Sequence, residues 1–150
     1  MNFFWINKAM LLNQDWQILA LKRKEDDTSR PWCWDLPWGW IDHEDMTTSP
    51  NDRHTFAIHR EIKEELGFYV AEVYDIHTET RYEPDNERIV LWYVFVARYV
   101  WQPISLTEHQ TYQWCSIDEF CGLDFGPDHV WASFVTAARK IQKLSTCLSS

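Results

Sequence analysis

Three glutamates crowd the end of a predicted helix directly before a glycine, and this grouping constrains the chain more than any other part of its sequence. In the segment REIKEELGF (residues 60–68), Glu61, Glu64 and Glu65 are three and four residues apart, so their carboxylates share one helical face. Like-charge repulsion and the dipole of the last helical turn both oppose this grouping. A hard divalent cation, Mg²⁺ or Mn²⁺, would turn this repulsion into attraction, whereas a solvated acidic surface is the more common explanation for such a grouping taken alone.

The helix that carries these acids has recognisable ends. Ser49 can serve as its N-cap, Pro50 suits the first helical position, and Gly67 supplies the C-terminal stop. Its apolar residues recur every four positions at Ile58, Ile62 and Leu66. This stripe predicts that the helix packs on a sheet.

Apolar and aromatic runs on both sides of this helix predict strands. The predicted strands span residues 3–12, 16–24, 32–41, 68–78, 88–101 and 111–115. A turn at 13–15 joins the first two, a polar loop is expected over 78–87, and a C-terminal helix is predicted over 128–143. One domain covering residues 1–150, with a mixed sheet and helices against its faces, accounts for the pattern.

Composition narrows the function classes. The chain has 150 residues, 45% hydrophobic and 25% charged, which is typical of a globular domain rather than of disordered or membrane classes. A net charge of −9 disfavours nucleic-acid polymers as partners, although a bound cation can reverse the sign locally. Four irregularly spaced cysteines fit neither a disulfide scaffold nor a zinc ribbon. With no leader-like or membrane-spanning run, we expect a cytoplasmic protein without membrane contact.

Three segments together carry a family resemblance. Residues 60–68 fit the second half of the Nudix box, R-E-U-x-E-E-x-G-U, where U is an apolar residue. The segment WDLPWG (residues 34–39) is similar to the W-x-L-P-G-G entry to that box, and EHQTYQW (residues 108–114) resembles a segment common in the C-terminal half of these enzymes. From about residue 16 to 120 the chain therefore resembles a Nudix hydrolase. The resemblance implies an α/β/α sandwich around a central mixed sheet.

The chain departs from the Nudix box in two places. Asp45 stands where the family has a glutamate, with Glu44 one position earlier, and the following spacer covers residues 46–59 instead of seven positions. Because loop closure becomes only slowly less favourable with length, we expect a longer loop that leaves the acidic helix intact. The open question is whether Asp45 or Glu44 still reaches Arg60.

By resemblance, the acidic helix holds the cofactor Mg²⁺ or Mn²⁺. The implied metal ligands are Gly39, Glu61, Glu64 and Glu65. Arg60 is expected to orient the acids by ion pairing, and Glu108 is a candidate general base or further ligand, as is Glu61. A solvated loop acid is the alternative for Glu108.

Three further residues are candidates for substrate contact. Arg23 and Arg81 could bind phosphates, with surface ion pairs as the alternative. Trp38 stands where the family often has glycine, so its ring could stack on a base or intrude on the phosphate path, with core packing as the alternative.

The implied reaction is hydrolysis of a diphosphate linkage in a nucleotide-type small molecule. Chain length and the TEHQTYQW segment resemble nucleoside triphosphate pyrophosphohydrolases. An ADP-ribose or nucleotide-sugar pyrophosphatase, a dinucleoside polyphosphate hydrolase and a nucleotide sensor without activity are the alternatives. The oligomeric state stays open, a homodimer included.

Overall fold

The computed structural model describes residues 2–41 and 53–149, so Glu44, Asp45 and the predicted cap at Ser49 and Pro50 lie outside the described residues. The strands in this part of the chain are β1 (Asn2–Leu12), β2 (Ile18–Arg23), β3 (Trp34–Asp35), β4 (Trp38–Trp40), β5 (Val73–Glu83), β6 (Arg88–Arg98) and β7 (His109–Cys115). Its α-helices are α1 (Arg53–Leu66), α2 (Ile117–Cys121) and α3 (Asp128–Ser149).

The sheet is mixed, as predicted. Strands β1 and β6 run parallel at its centre, in register from Asn2 opposite Arg88 to Leu12 opposite Arg98. Strand β5 pairs with β6 in antiparallel orientation. On the other side of β1, strand β2 pairs in antiparallel orientation with β1, β3 and β7. Strand β4 pairs with β1 and brings Trp38 opposite Lys8 and Gly39 opposite Asn7. This last pairing places residues 38–40 beside the central strand β1.

Helices cover both faces of the sheet. On one face, Ile58, Ile62 and Leu66 of α1 are buried against the sheet, as their four-residue spacing predicts. On the other face, Phe120 of α2 and Phe134 of α3 are fully buried in a second apolar cluster. The predicted α/β/α sandwich is therefore confirmed.

The prediction of a strand at 68–78 followed by a loop at 78–87 was wrong in its boundaries. Strand β5 begins at Val73 and continues through the polar segment to Glu83, so the connection to β6 is only a short 3₁₀ turn, Pro84–Asn86. Residues 78–83 pair with the apolar β6 while much of their surface faces solvent. A strand at the edge of a sheet can be mostly polar, because backbone pairing with its apolar neighbour holds it in place while one of its faces remains in solvent.

Other boundaries also differ from the sequence prediction, and the segment 32–41 forms two short strands, β3 and β4, rather than one. Helix α3 runs six residues beyond position 143 to Ser149, and β6 ends at Arg98 rather than 101. Helix α2 was not predicted, although Ser116 and Glu119 form a capping box at its start. That S-x-x-E pattern was the available signal.

Candidate active site

The acidic end of α1 lies against strand β4. Glu65 is buried, with 2% of its surface exposed, and its Oε2 accepts a hydrogen bond from the backbone N–H of Trp38 at 3.1 Å. Glu61 is partly buried, whereas 59% of the Glu64 side chain is exposed. The three acids thus form a gradient from the interior to the surface.

Glycine is required at position 39 because Glu61 occupies the space next to it. A β-carbon built on Gly39 would overlap the Cγ and carboxyl group of Glu61. Because Gly39 has no side chain, the carboxylate of Glu61 approaches the backbone of β4 more closely than any other residue type at position 39 would permit.

Arg60 partly balances the charge of this cluster. Its Nη1 donates to Oε1 of Glu61 at 2.7 Å and lies 3.8 Å from Oε2 of Glu64. The guanidinium thus holds two neighbouring acids on the same side of the helix. Such ion pairing fits an orienting contact.

Burial changes the proton affinity of the two inner acids. Desolvation, reinforced by the charges of Glu64 and Glu108, raises the pKa of Glu61 to about 7 against the lowering effect of Arg60. Desolvation and the charge of Glu61 raise the pKa of Glu65 to about 9. Without a bound cation, Glu65 is therefore mostly protonated at neutral pH.

Glu108 approaches the cluster from the loop before β7. That loop is attached to the end of α1, since Oγ1 of Thr107 donates to the carbonyl of Glu64 at 3.1 Å and the N–H of Ser105 donates to the carbonyl of Leu66 at 2.9 Å. Glu108 itself is exposed and close enough to affect the pKa of Glu61 and Glu65. The fold thus brings residues from positions 38–39, 60–65 and 108 together.

A buried ionic network lies beneath this cluster. Asp35 is fully buried and accepts hydrogen bonds from Lys8 at 2.9 Å, Arg23 at 2.6 Å and Arg30 at 2.7 Å. Burial opposes ionisation of Asp35, but Lys8 and Arg30 hold its pKa below the ordinary value. Burial lowers the pKa of Lys8 to about 8. Sequence reasoning missed Lys8 and Asp35 as a pair, although a lone lysine inside an apolar strand was a usable signal.

The predicted substrate-contact residues lie around this network. Arg23 donates to both Asp35 and Asp27, which fits a structural ion pair better than a free phosphate contact. The Trp38 ring lies 4.6 Å from Lys8 Nζ.

Arg81 lies on the edge strand β5. Its guanidinium is 5.9 Å from the Trp92 ring, and Lys8 Nζ approaches the same ring at 5.5 Å. Arg81 also donates to Glu83 at 2.8 Å. A single tryptophan ring therefore connects Arg81 to the buried lysine.

The acids are not already arranged as a metal centre in this conformation. Within residues 2–41 and 53–149, no group of three or more acidic, histidine or cysteine side chains has the geometry to hold a metal ion. Arg60 instead occupies the space beside Glu61 and Glu64. A cation bound here would compete with Arg60 for the carboxylates of Glu61 and Glu64.

None of the described helices combines the length and apolar character needed to cross a bilayer.

Comparison with known proteins identifies the family. Residues 8–133 match the family model for the NUDIX domain. No curated protein sequence gives a significant match. Among solved structures, the MutT protein from Methanosarcina mazei superposes with a TM-score of 0.72 at 23% identity, covering 96% of both chains.

Two other structures share the fold. The NUDIX domain of Shewanella oneidensis NrtR, solved with ADP ribose, has a TM-score of 0.69 at 17% identity and covers 96% of this chain and 90% of its own. The E. coli dihydroneopterin triphosphate pyrophosphohydrolase has a TM-score of 0.68 at 17% identity, with 95% and 99% covered. The wide coverage shows a common architecture across most of the chain.

Proposed function

The chain belongs to the Nudix family of hydrolases, and we propose that it hydrolyses a diphosphate linkage in a nucleoside diphosphate-X compound, with a divalent cation as cofactor. Within that class, the proposed substrate is a nucleoside triphosphate cleaved to a monophosphate and pyrophosphate. We take residues 1–150 as one catalytic domain located in the cytoplasm.

The buried Glu65 carries the proposal. A carboxylate held in the interior with a pKa raised to about 9 is unfavourable unless a cation binds beside it. Oxygen donors from Glu61, Glu64, Glu65 and the Gly39 carbonyl suit Mg²⁺ or Mn²⁺, so the donor set fits the cofactor. When bound, the cation would neutralise diphosphate oxygens and supply Lewis-acid chemistry.

The chain's own residues have separate roles in this proposal. Arg60 orients Glu61 through their 2.7 Å contact, and Glu108 accepts a proton from the attacking water, with Glu61 as the other candidate base. Arg81 contributes positive charge for the phosphates from β5, and Trp38 shapes the path beside them. Arg23 supports the site from the Asp35 network.

The substrate class rests on two likenesses. The TEHQTYQW segment resembles small nucleoside triphosphate pyrophosphohydrolases, and the E. coli dihydroneopterin triphosphate enzyme shares the fold. The NrtR domain solved with ADP ribose supports the second candidate, an ADP-ribose or nucleotide-sugar pyrophosphatase. A sensor without activity is favoured by two features: the Trp38 ring at a position where the family often has glycine, and the lengthened spacer over residues 46–59.

A substrate panel tests these proposals. The purified chain is incubated with deoxynucleoside triphosphates, ADP-ribose, nucleotide sugars and dinucleoside polyphosphates, in the presence of Mg²⁺, Mn²⁺ or a chelator. From the deoxynucleoside triphosphates we expect metal-dependent release of a nucleoside monophosphate and pyrophosphate, and Glu61→Gln should reduce turnover by about 100-fold or more. Saturable nucleotide binding without any product would support the sensor and contradict hydrolysis.

A further inference from the structure

A cavity of about 480 Å³ lies beside the turn between β1 and β2. Its walls include four aromatic residues, Tyr99, Trp101, Tyr112 and Trp114, together with Asp15. Along β7, Trp114 lies near the end of the strand, whereas Glu108 immediately precedes its start. The cavity is therefore lined by a different part of the sheet from the acidic cluster, and its volume suits a small organic molecule.

The inner wall of this cavity is held in place without a ligand. The Tyr99 hydroxyl donates to the carbonyl of Gln102 at 2.5 Å and accepts from its N–H at 3.1 Å. The ring of Tyr99 packs at 4.9 Å against Trp114 and edge-on against Phe68 at 5.4 Å. These contacts fix two aromatic surfaces before binding, so little ordering is required of them.

The outer wall is aromatic but open to solvent. Trp101 has 78% of its surface exposed and Tyr112 has 41%. A ring this exposed makes few packing contacts within the chain, so its face is available to contact a bound molecule.

The turn between β1 and β2 places Asp15 among the residues that line the cavity. Oδ1 of Asn13 accepts from the N–H of Asp15 at 3.0 Å and from the N–H of Gln17 at 2.9 Å, which fixes the turn. Trp16, with a left-handed φ of 59°, lines a neighbouring cleft that shares Asn13 and Gln14 with this cavity. Asp15 forms no ion pair with any residue in the described part of the chain.

The charge of the lining selects the class of ligand. No lysine or arginine is among the described residues that line the cavity, and the whole chain carries a net charge of −9, so a phosphate is disfavoured. Aromatic faces beside a carboxylate attract organic cations through ring quadrupoles and direct charge. We propose that this cavity binds a small organic cation with a quaternary ammonium head group, held between Trp101, Tyr112 and Trp114 and paired with Asp15.

The site is tested by calorimetric titration of the full chain with two probes, tetramethylammonium chloride and choline chloride. The matched control ligand is 3,3-dimethyl-1-butanol, which has the shape of choline without its charge. We expect saturable binding of both cations at one site and binding of the neutral alcohol weaker by about tenfold or more. Equal affinity for choline and the alcohol would overturn the proposal, as would the absence of saturable cation binding.

Substitutions locate the binding to this cavity. Asp15→Asn and Trp101→Ala should each weaken tetramethylammonium binding by about fivefold, because each removes one favourable interaction with the cation. Asp85→Asn makes the same charge change in the turn between β5 and β6 and should leave the affinity unaltered. Equal effects of Asp15→Asn and Asp85→Asn would assign the binding to net charge and overturn the site. If Trp101→Ala does not fold, the exposed Asp15 substitution and the neutral alcohol still decide the outcome.

Discussion

The backbone N–H of Trp38 lies 3.1 Å from Oε2 of Glu65 and donates a hydrogen bond to it. This contact joins strand β4 to the last turn of α1 and fixes the most buried acid of the proposed metal site. One backbone donor does not compensate for burying a carboxylate, since the pKa of Glu65 is still raised by desolvation and by Glu61 to about 9. In the metal-free protein the ionised form of Glu65 is therefore unfavourable, and a bound cation should stabilise it.

Glu65→Gln should stabilise the metal-free protein at alkaline pH. The pKa of Glu65 rises from the ordinary 4.5 to about 9 on folding, so the stability that this group contributes is complete below pH 4.5 and is lost as pH rises toward 9. Glutamine keeps an acceptor for the Trp38 N–H and never ionises. We expect the variant to melt about 3 °C or more above the parent at pH 8, and at the same temperature near pH 4.5.

Added Mg²⁺ should reverse this ranking. The parent chain should gain thermal stability with Mg²⁺ at pH 8, and Glu65→Gln should gain much less because its ligand is neutral. Glu72→Gln makes the same change at an exposed position and serves as the control. Equal stabilisation of the parent and Glu65→Gln by Mg²⁺ would remove Glu65 from the metal site.

Gly39→Ala should impair catalysis more than stability. The added methyl group would overlap the side chain of Glu61, which must then move away from β4. Because small displacements of catalytic groups have large effects on rate, kcat/KM should fall by about 10- to 100-fold. At Gly122 an added β-carbon would meet only carbonyl oxygens, the nearest at 3.5 Å, so Gly122→Ala is the matched control and should retain full activity. Steady-state assays of both variants would contradict this reading if their losses were equal.

Most of the architecture could be predicted from the sequence because its signals are local. The four-residue spacing of Ile58, Ile62 and Leu66 identified the buried face of α1, and Gly67 marked its end. The boundaries of β5 could not be read in the same way. Residues 78–83 are polar, and their strand conformation depends on pairing with β6, a nonlocal interaction that leaves no alternating apolar pattern.

The candidate site was predictable only in part. Its helix motif placed the acids correctly relative to one another, since their spacing alone puts them on one face. The contact between Gly39 and Glu61 depends on the pairing of β4 with β1, which no local pattern indicates. The ion pair of Lys8 with Asp35 is also nonlocal, since the two residues are 27 positions apart. Arg23 has the residue type of a phosphate ligand, yet only the fold reveals that Asp35 and Asp27 already bind it.

Arg81→Ala should weaken substrate binding with little effect on folding. Its ion pair with Glu83 is partly exposed and contributes at most ~1 kcal/mol to stability. If Arg81 contacts phosphates, its loss should raise KM for the best nucleotide by about tenfold or more while kcat changes little. Arg139→Ala removes a comparable surface ion pair with Asp118 and should leave KM unaltered. An unchanged KM in Arg81→Ala would mean that Arg81 forms its ion pair with Glu83 but does not contribute to substrate binding.

Asp35→Asn should destabilise the protein far more than Lys8→Met. Asp35 is the shared partner of Lys8, Arg23 and Arg30, so an uncharged amide would leave the buried Lys8 and the partly buried Arg30 without a counter-charge and Arg23 with Asp27 alone. Removing one side of such a buried pair lowers stability by about 3–5 kcal/mol.

Lys8→Met removes one cation instead and leaves Asp35 paired with both arginines. The methionine chain can retain apolar contact with Trp38 and Trp92, so we expect a loss of about 1 kcal/mol or none. Urea unfolding at pH 7 would measure both changes. The opposite ranking would mean that Lys8, and not Asp35, is the residue on which the buried network depends.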